Sequence, residues 1–217
     1  MGWYSTGADA EEALKREMER QAEARENSGK KARFWLPVGA EKKITFIDDV
    51  KSSYGYKLPF TFYEHALERG GSWRNYYTCI DEEEDANGKV QHCPLCASGN
   101  RASFVAAYSI IDHSVWEDKK GNERKDEIRL FICKSEVQTI LLKAAKKKDG
   151  LRGWLVEVSR ITLKSPNTGN QFDFEKRTDL SDDLQPPNYM ELFAPMSEAE
   201  LKVIASGVNA DDGKIRF

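Results

Sequence analysis

The sequence predicts a mainly β protein, because most of its apolar residues fall in short runs bounded by turn residues and only one long helical pattern interrupts them. The candidate strands are 33–36, 43–47, 60–65, 73–79, 104–111, 128–133, 151–163 and 171–175. The helical pattern covers 135–148, where Ser135 is expected to cap the start and Gly150 lies just past the end. Five or so strands with one helix before the last of them are compatible with an OB-fold barrel.

Both ends of the chain differ from this β-rich middle. Residues 8–27 favour a helix, with pairs such as Glu11–Lys15 four positions apart, but they offer few apolar positions. We expect an acidic, helical N-terminal extension over 1–28 and an acidic C-terminal extension over 181–217. In the latter, Ser197 followed by Glu200 predicts a capping box at the start of a short helix. The core domain is then 29–180.

The net charge of −3 conceals a segregated distribution. Residues 29–178 carry 26 basic and 21 acidic side chains, a net of +5, whereas 1–28 carry −3 and 179–217 carry −5. Five of the acids in the middle belong to one run, 81–85, which is expected to be a solvated loop. The remainder of the core therefore has the basic character that a polyanion would attract.

Several classes of protein are excluded by what the sequence lacks. It has no apolar run near the ~20 residues that cross a bilayer, and no secretory signal, so we expect no membrane partner and a soluble protein in a reducing compartment. It has no phosphate-binding glycine loop and no G-x-S-x-G or H-E-x-x-H motif. Asp48-Asp49 alone is thin support for a metal-dependent nuclease. We therefore expect a protein without enzymatic activity.

The strongest chemical signal is a set of four metal-ligating residues, His65, Cys79, Cys93 and Cys96. Cys93-Pro94-Leu95-Cys96 is a C-x-x-C knuckle, and the set as a whole is a Cys3His combination typical of structural zinc. A redox pair would require a βαβ context, and disulfides would require an oxidising compartment. His92 competes with His65 for the ligand role, and Cys133 is expected to be a buried free thiol.

These motifs resemble the core of the single-stranded DNA-binding, helix-destabilising protein family of T-even bacteriophages. The resemblance covers about 32–180 and rests on the run from Ala32 to Pro37, the segment Gly70-Gly71-Ser72-Trp73, and the order His, Cys, Cys-x-x-Cys. It implies an OB-fold with a zinc-binding subdomain inserted at about 58–98, Zn2+ as cofactor, and a basic cleft between the two for single-stranded DNA. The family's N-terminal arm is basic, whereas this N-terminus is acidic, and the family's C-terminal tail is long and strongly acidic, whereas the C-terminal stretch here is short and mildly acidic.

Aromatic side chains next to basic ones are the candidate DNA contacts, because bases stack on rings while cations neutralise the backbone. The resemblance implies Arg33, Trp73 and Phe104. Adjacency in the sequence gives the full set: Arg33, Trp35, Trp73, Arg74, Tyr76, Arg101, Phe104, Arg129 and Phe131.

The resulting hypothesis is sequence-nonspecific binding of single-stranded DNA. The protein would protect and organise strands during phage replication, recombination or repair, in the cytoplasm of an infected bacterial cell. Replication or recombination proteins are expected partners of the acidic ends. The alternative hypothesis is a zinc-stabilised protein-interaction module of a replication or transcription complex, without intrinsic affinity for single strands.

Overall fold

The computed structural model of the protein describes residues 33–49, 58–69, 73–82, 84, 88, 90–117, 121–207 and 214–215. The predicted N-terminal extension and its helix lie outside the described residues. Within them the prediction of a mainly β protein is confirmed, and the predicted strands 43–47, 60–65, 73–79, 104–111, 128–133 and 171–175 are all present with small shifts of their ends.

The strands are β1 (Glu41–Phe46), β2 (Phe60–Arg69), β3 (Trp73–Thr78), β4 (Ser103–Asp112), β5 (Trp116–Glu117), β6 (Glu123–Arg124), β7 (Glu127–Lys134), β8 (Trp154–Ser159), β9 (Gln171–Arg177) and β10 (Lys214–Ile215). The helices are α1 (Pro94–Ala97), α2 (Ser135–Lys148), α3 (Tyr189–Leu192) and α4 (Glu198–Ser206). The long strand predicted over 151–163 is the shorter β8, because the backbone leaves the sheet at Arg160, whose side chain is bonded to loop carbonyls.

One eight-stranded sheet organises the molecule, in the order β10-β2-β4-β1-β8-β9, with β3 paired to β2 and β7 paired to β4. Every pairing in it is antiparallel except that of β10 with β2. Strand β4 is long enough to pair with β2 through its first half and with β1 near its end. The β2–β3 hairpin thereby projects from the sheet that holds the main core.

The described strands do not form the closed barrel that the sequence predicted. No ladder joins β7 to β9 in the described part of the chain. Instead, the Phe34 amide donates to the Leu130 carbonyl at 2.8 Å, and the Leu36 amide donates to the Asn167 carbonyl at 2.9 Å. The strand predicted over 33–36 is therefore a segment that bonds to β7 and to the loop before β9, with an isolated bridge from Arg33 to Leu130 and no ladder of its own.

The main core lies between the sheet and α2. It contains Phe46, Tyr108, Phe131 and the α2 side chains Val137 and Leu141, all fully buried. Helix α2 has the predicted length, but Ser135 is its first residue and not its cap. The cap position belongs to Lys134, and no side chain caps the helix there.

The C-terminal segment packs against the β2–β3 region. The Phe193 ring stacks on Phe62 with centroids 4.4 Å apart, and Leu201 of α4 is fully buried beside Leu95 of α1. The predicted capping box of Ser197 and Glu200 is confirmed. None of the described helices has the length and apolar composition that crossing a lipid bilayer requires.

Candidate metal centre and surrounding surface

The antiparallel strands β2 and β3 place one nitrogen ligand, from His65, and one sulfur ligand, from Cys79. His65 lies in the middle of β2, opposite Tyr77 of β3, and its side chain is fully buried. Cys79 directly follows β3, and its amide donates to the Tyr63 carbonyl of β2 at 2.8 Å. The end of the hairpin thus turns the Cys79 side chain toward His65.

The knuckle supplies the other two ligands from a single turn of helix. Cys93 precedes α1 at its cap position, and Pro94 follows at the first helical position, where proline needs no hydrogen-bond partner. The Ala97 amide donates to the Cys93 carbonyl and the Gly99 amide to the Cys96 carbonyl, both at 3.0 Å. This tight turn brings Cys93 and Cys96 to the same point.

The four side chains converge on one site. Their ligand atoms all lie within 4.8 Å of one another. His65 Nε2 is 3.3 Å from Cys93 Sγ and 3.7 Å from Cys96 Sγ, and Cys79 Sγ is 3.6 Å from Cys96 Sγ. The cysteines are free thiols, so these separations are not those of a disulfide.

This geometry suits a tetrahedral metal ion. Metal–sulfur bonds of about 2.3 Å and metal–nitrogen bonds of about 2.0 Å in a tetrahedron place sulfur atoms about 3.8 Å apart and sulfur and nitrogen about 3.6 Å apart. The three separations given above agree with these values to within a few tenths of an ångström, and every other pair of ligand atoms lies within 4.8 Å. His65, Cys79, Cys93 and Cys96 therefore form a cluster that can hold a metal ion, as the sequence predicted.

Burial sets the protonation of the cluster. It raises the pKa of Cys79 to about 12 and also raises the pKa of Cys96, so these thiols give up their protons only to a bound cation. Burial lowers the pKa of His65, which keeps the imidazole neutral and leaves a nitrogen lone pair for a metal. Metal binding at this site is consequently coupled to proton release.

Two residues that sequence reasoning missed support the ligands. Asn100 Oδ1 lies 2.9 Å from His65 Nδ1, and Asp81 Oδ1 accepts the Cys93 amide at 3.2 Å. Asp81 belongs to the acidic run that was expected to be only a solvated loop. Asn100 lies four positions after the C-x-x-C motif, and that spacing alone does not predict a contact with His65.

The other candidates for a metal ligand lie elsewhere. His92 is exposed and is not a member of the cluster. Cys133 is a buried free thiol in the main core, as expected, and burial raises its pKa to about 12.

The predicted DNA contacts divide between two faces of β2. The Arg33 guanidinium donates to both carboxylate oxygens of Glu64, at 2.9 and 2.7 Å, and lies 3.6 Å from the ring centroid of Tyr76. Phe104 instead pairs across the strands with Tyr63, which adjoins Glu64 and so points to the opposite face. Arg101 is exposed near Phe104, and the side chains of Trp73 and Arg74 lie outside what the structure describes.

Three other predicted contacts lie away from the metal centre. Phe131 is fully buried in the main core, stacked on Phe34, so its prediction as a base-stacking ring is wrong. Arg129 is mostly buried and lies 3.3 Å from an Asp112 carboxylate oxygen. Trp35 is 54% exposed, on the far side of the segment that carries Phe34.

An aromatic groove of about 710 Å3 adjoins the metal centre. Tyr63, which sequence reasoning also missed, is 57% exposed there, with its ring centroid 5.3 Å from that of Phe104, which is 39% exposed. Arg101 contributes a cation to the lining, and Asp81 and Glu82 contribute carboxylates. Rings that neighbour one another at the surface offer a flat apolar ligand a place to stack.

Comparison with known proteins identifies no relative: no protein-family model, no curated protein and no solved structure matches the chain.

Proposed function

We propose that the protein binds single-stranded DNA without sequence preference, through a sheet of OB type whose inserted hairpin is held by a structural zinc ion. It would have no catalytic role of its own. Its task would be to protect and organise single strands during phage replication, recombination or repair.

The order of the strands supports the OB assignment. Strands β1, β4 and β7 form an antiparallel meander, α2 follows, and β8 returns to pair with β1 before β9. This order is compatible with the five-stranded OB-fold, which is commonly only partly closed. The opening between β7 and β9 is compatible with it.

The ligand set supports zinc. Three thiolates and one imidazole in a tetrahedron are a common structural zinc site, and four protein ligands leave no open position for a catalytic water. Soft sulfur ligands disfavour magnesium and calcium, which prefer oxygen.

The observation that carries the DNA proposal is the exposed ring pair Tyr63–Phe104 beside Arg101. Stacking on an aromatic side chain contributes about 1–3 kcal/mol per base and accepts every base, which suits binding without sequence preference. The excess of basic side chains over 29–178 supplies the attraction for phosphates, and that attraction should weaken as salt is added.

Titration of the intrinsic tryptophan fluorescence with poly(dT) at several salt concentrations tests this proposal. We expect saturable binding that weakens with salt. Tyr63→Leu and Phe104→Leu should each weaken the free energy of poly(dT) binding by about 1–3 kcal/mol. Tyr63→Phe keeps the ring and should bind like the wild type. Val203→Ala, at an exposed position of α4, serves as the control. A protein indifferent to poly(dT) at low salt would refute the proposal.

One observation favours the alternative, a zinc-stabilised protein-interaction module. Trp35, Ile161 and Leu163 are 54%, 56% and 83% exposed on two neighbouring loops. The buried Arg160 guanidinium joins these loops by donating to the Leu36 carbonyl at 3.0 Å and the Ser165 carbonyl at 3.2 Å. Under this alternative, a Trp35→Ala, Leu163→Ala variant would lose binding to a replication protein, and poly(dT) would have no effect on the wild type.

A further inference from the structure

A second cavity, of about 870 Å3, lies on the outer face of the sheet, and none of the described residues that line it also lines the groove beside the metal centre. Its floor is apolar, because Ile111 and Leu155 both stand opposite Thr45 of β1, and Ile128 stands opposite Ile111. Three lysines line it as well: Lys43, Lys125 and Lys176. The cavity therefore combines an apolar surface with positive charge.

A chain of hydrogen bonds crosses this cavity. Thr45 Oγ1 lies 2.8 Å from His113 Nε2, and His113 Nδ1 lies 2.5 Å from Asp126 Oδ1. Asp126 holds its carboxylate there from a left-handed backbone conformation, with φ of 57°. Both ring nitrogens of His113 are thus fixed in position.

The Thr45 hydroxyl can donate to an anion in the protonation state in which His113 Nε2 donates to it. When His113 is an imidazolium, both of its N–H groups donate, one to Asp126 and one to Thr45 Oγ1. The Thr45 hydroxyl then accepts from His113, and its own proton is free to be donated to a ligand oxygen. Thr45 is 5% exposed and lines the cavity.

The charges around the cavity also favour an anion. Lys125 and Lys176 form no ion pair within the described part of the chain, whereas Lys43 is paired with Glu175 at 2.5 Å, with Glu157 also nearby. Asp126 is the only carboxylate among the described lining residues, and it is engaged with His113. Two ammonium groups therefore remain for a ligand.

We propose that this cavity binds a nucleotide unit, with the phosphate at Thr45, Lys125 and Lys176 and the base on the apolar floor. Its volume lies in the range of small-molecule sites, roughly 300–1,000 Å3. The phosphate can come from the backbone of a single strand or from a free mononucleotide. The inference stands independently of the aromatic groove, because the described residues that line the two sites are all different.

The test is a titration of the full-length, metal-loaded protein, followed by nuclear magnetic resonance of the backbone amides, with d(TpT), dTMP and inorganic phosphate as separate ligands. We expect saturable shifts at Thr45, His113 and Lys176 with d(TpT). If dTMP binds equally well, the site recognises the nucleotide itself; if it binds far more weakly, the site recognises the strand backbone. Both results support the proposal. Shifts with inorganic phosphate alone, or none at this face, would overturn it.

Matched variants distinguish binding in this cavity from non-specific attraction of d(TpT) to surface lysines. Lys125→Ala, Lys176→Ala should weaken d(TpT) binding about tenfold, or about 1.4 kcal/mol. Lys147→Ala, Lys202→Ala, which removes two exposed lysines elsewhere, should leave it unchanged. Equal losses in the two double variants would contradict the proposal. Tyr63→Leu should bind d(TpT) normally at this face, so failure here and failure at the aromatic groove are distinguishable.

Thr45→Val tests the role of the hydroxyl, because it removes the Oγ1 donor and nearly keeps the shape of the side chain. We expect this variant to bind d(TpT) more weakly at this face. A Thr45→Val protein that binds d(TpT) as tightly as the wild type would overturn the role of the hydroxyl.

Discussion

His65 Nδ1 lies 2.9 Å from Asn100 Oδ1, and this contact orients the imidazole. The Asn100 amide nitrogen donates to the Ala66 carbonyl at 3.3 Å, which fixes the amide with its oxygen toward the ring. Nδ1 therefore carries the proton and donates a hydrogen bond to Asn100 Oδ1. Nε2 is left with its lone pair directed at the sulfur atoms of Cys93 and Cys96.

Asn100→Ala should weaken metal binding about 10–100-fold, because hydrogen-bond partners of ligating histidines contribute on that scale. Asn100→Asp, which keeps an acceptor oxygen at Nδ1, should recover most of the loss. Competition with a chromophoric chelator measures both affinities. If Asn100→Ala held the metal as tightly as the wild type, the contact would have no role in orienting His65.

Cys93→Ser should release the metal and destabilise the β2–β3 hairpin, because a structural metal contributes folding free energy directly. Cys133→Ala is the matched control, since it removes a buried thiol that lies outside the cluster. It should retain one metal ion per chain while losing some stability from the main core. Elemental analysis together with thermal unfolding distinguishes the two, and equal metal content in both variants would contradict this prediction.

The sequence was most informative where a local pattern decides the structure. The 3.6-residue periodicity of 135–148 predicted the extent of α2, although not its cap residue, and the C-x-x-C spacing predicted the knuckle. The contact of Asn100 with His65 joins residues 35 positions apart, and it depends on the turn after α1 and on the pairing of β2 with β4, where Glu64 stands opposite Ser103.

The prediction that Phe131 contacts DNA was wrong because the side of β7 on which the ring lies was not considered. Phe131 was assigned to DNA because Arg129 lies nearby, but alternation places it on the same side of β7 as Cys133, which was expected to be buried. The face of the strand, and not the adjacent charge, decides whether such a ring reaches the surface. The open edge between β7 and β9 was unpredictable for another reason: it depends on where Phe34 and Leu36 donate their backbone hydrogen bonds.

Asp48 predicts how stability depends on pH. Its carboxylate is buried, accepts the Ser109 amide at 2.5 Å, and accepts the Tyr189 hydroxyl at 2.9 Å. Burial raises its pKa to about 6, above the value near 3.9 of an exposed aspartate. Between these two values the folded state binds more protons than the unfolded state, so this group makes the free energy of unfolding decrease as pH rises.

Asp48→Asn should therefore be more stable than the wild type above about pH 6, by up to about 3 kcal/mol, and should lose this advantage as the pH falls toward 4. The amide keeps an acceptor for the Ser109 N–H group. Urea unfolding of both proteins across this pH range measures the difference between them, in which the other titrating groups cancel. A constant difference at every pH would show that Asp48 does not titrate in this interval.

Leu201 connects the C-terminal helix to the metal centre. It is fully buried in a cluster with Leu67, Cys79, Cys93 and Leu95, so α4 covers the apolar side of the knuckle. Leu201→Ala should lower the free energy of unfolding by about 2–5 kcal/mol and accelerate metal loss to a chelator, because the cavity it leaves adjoins two ligands. Val203→Ala on the same helix, where the side chain is 74% exposed, should change stability by less than about 0.5 kcal/mol. Unfolding curves and chelator-transfer rates test both variants, and a Leu201→Ala protein that releases its metal at the wild-type rate would show that α4 does not support the site.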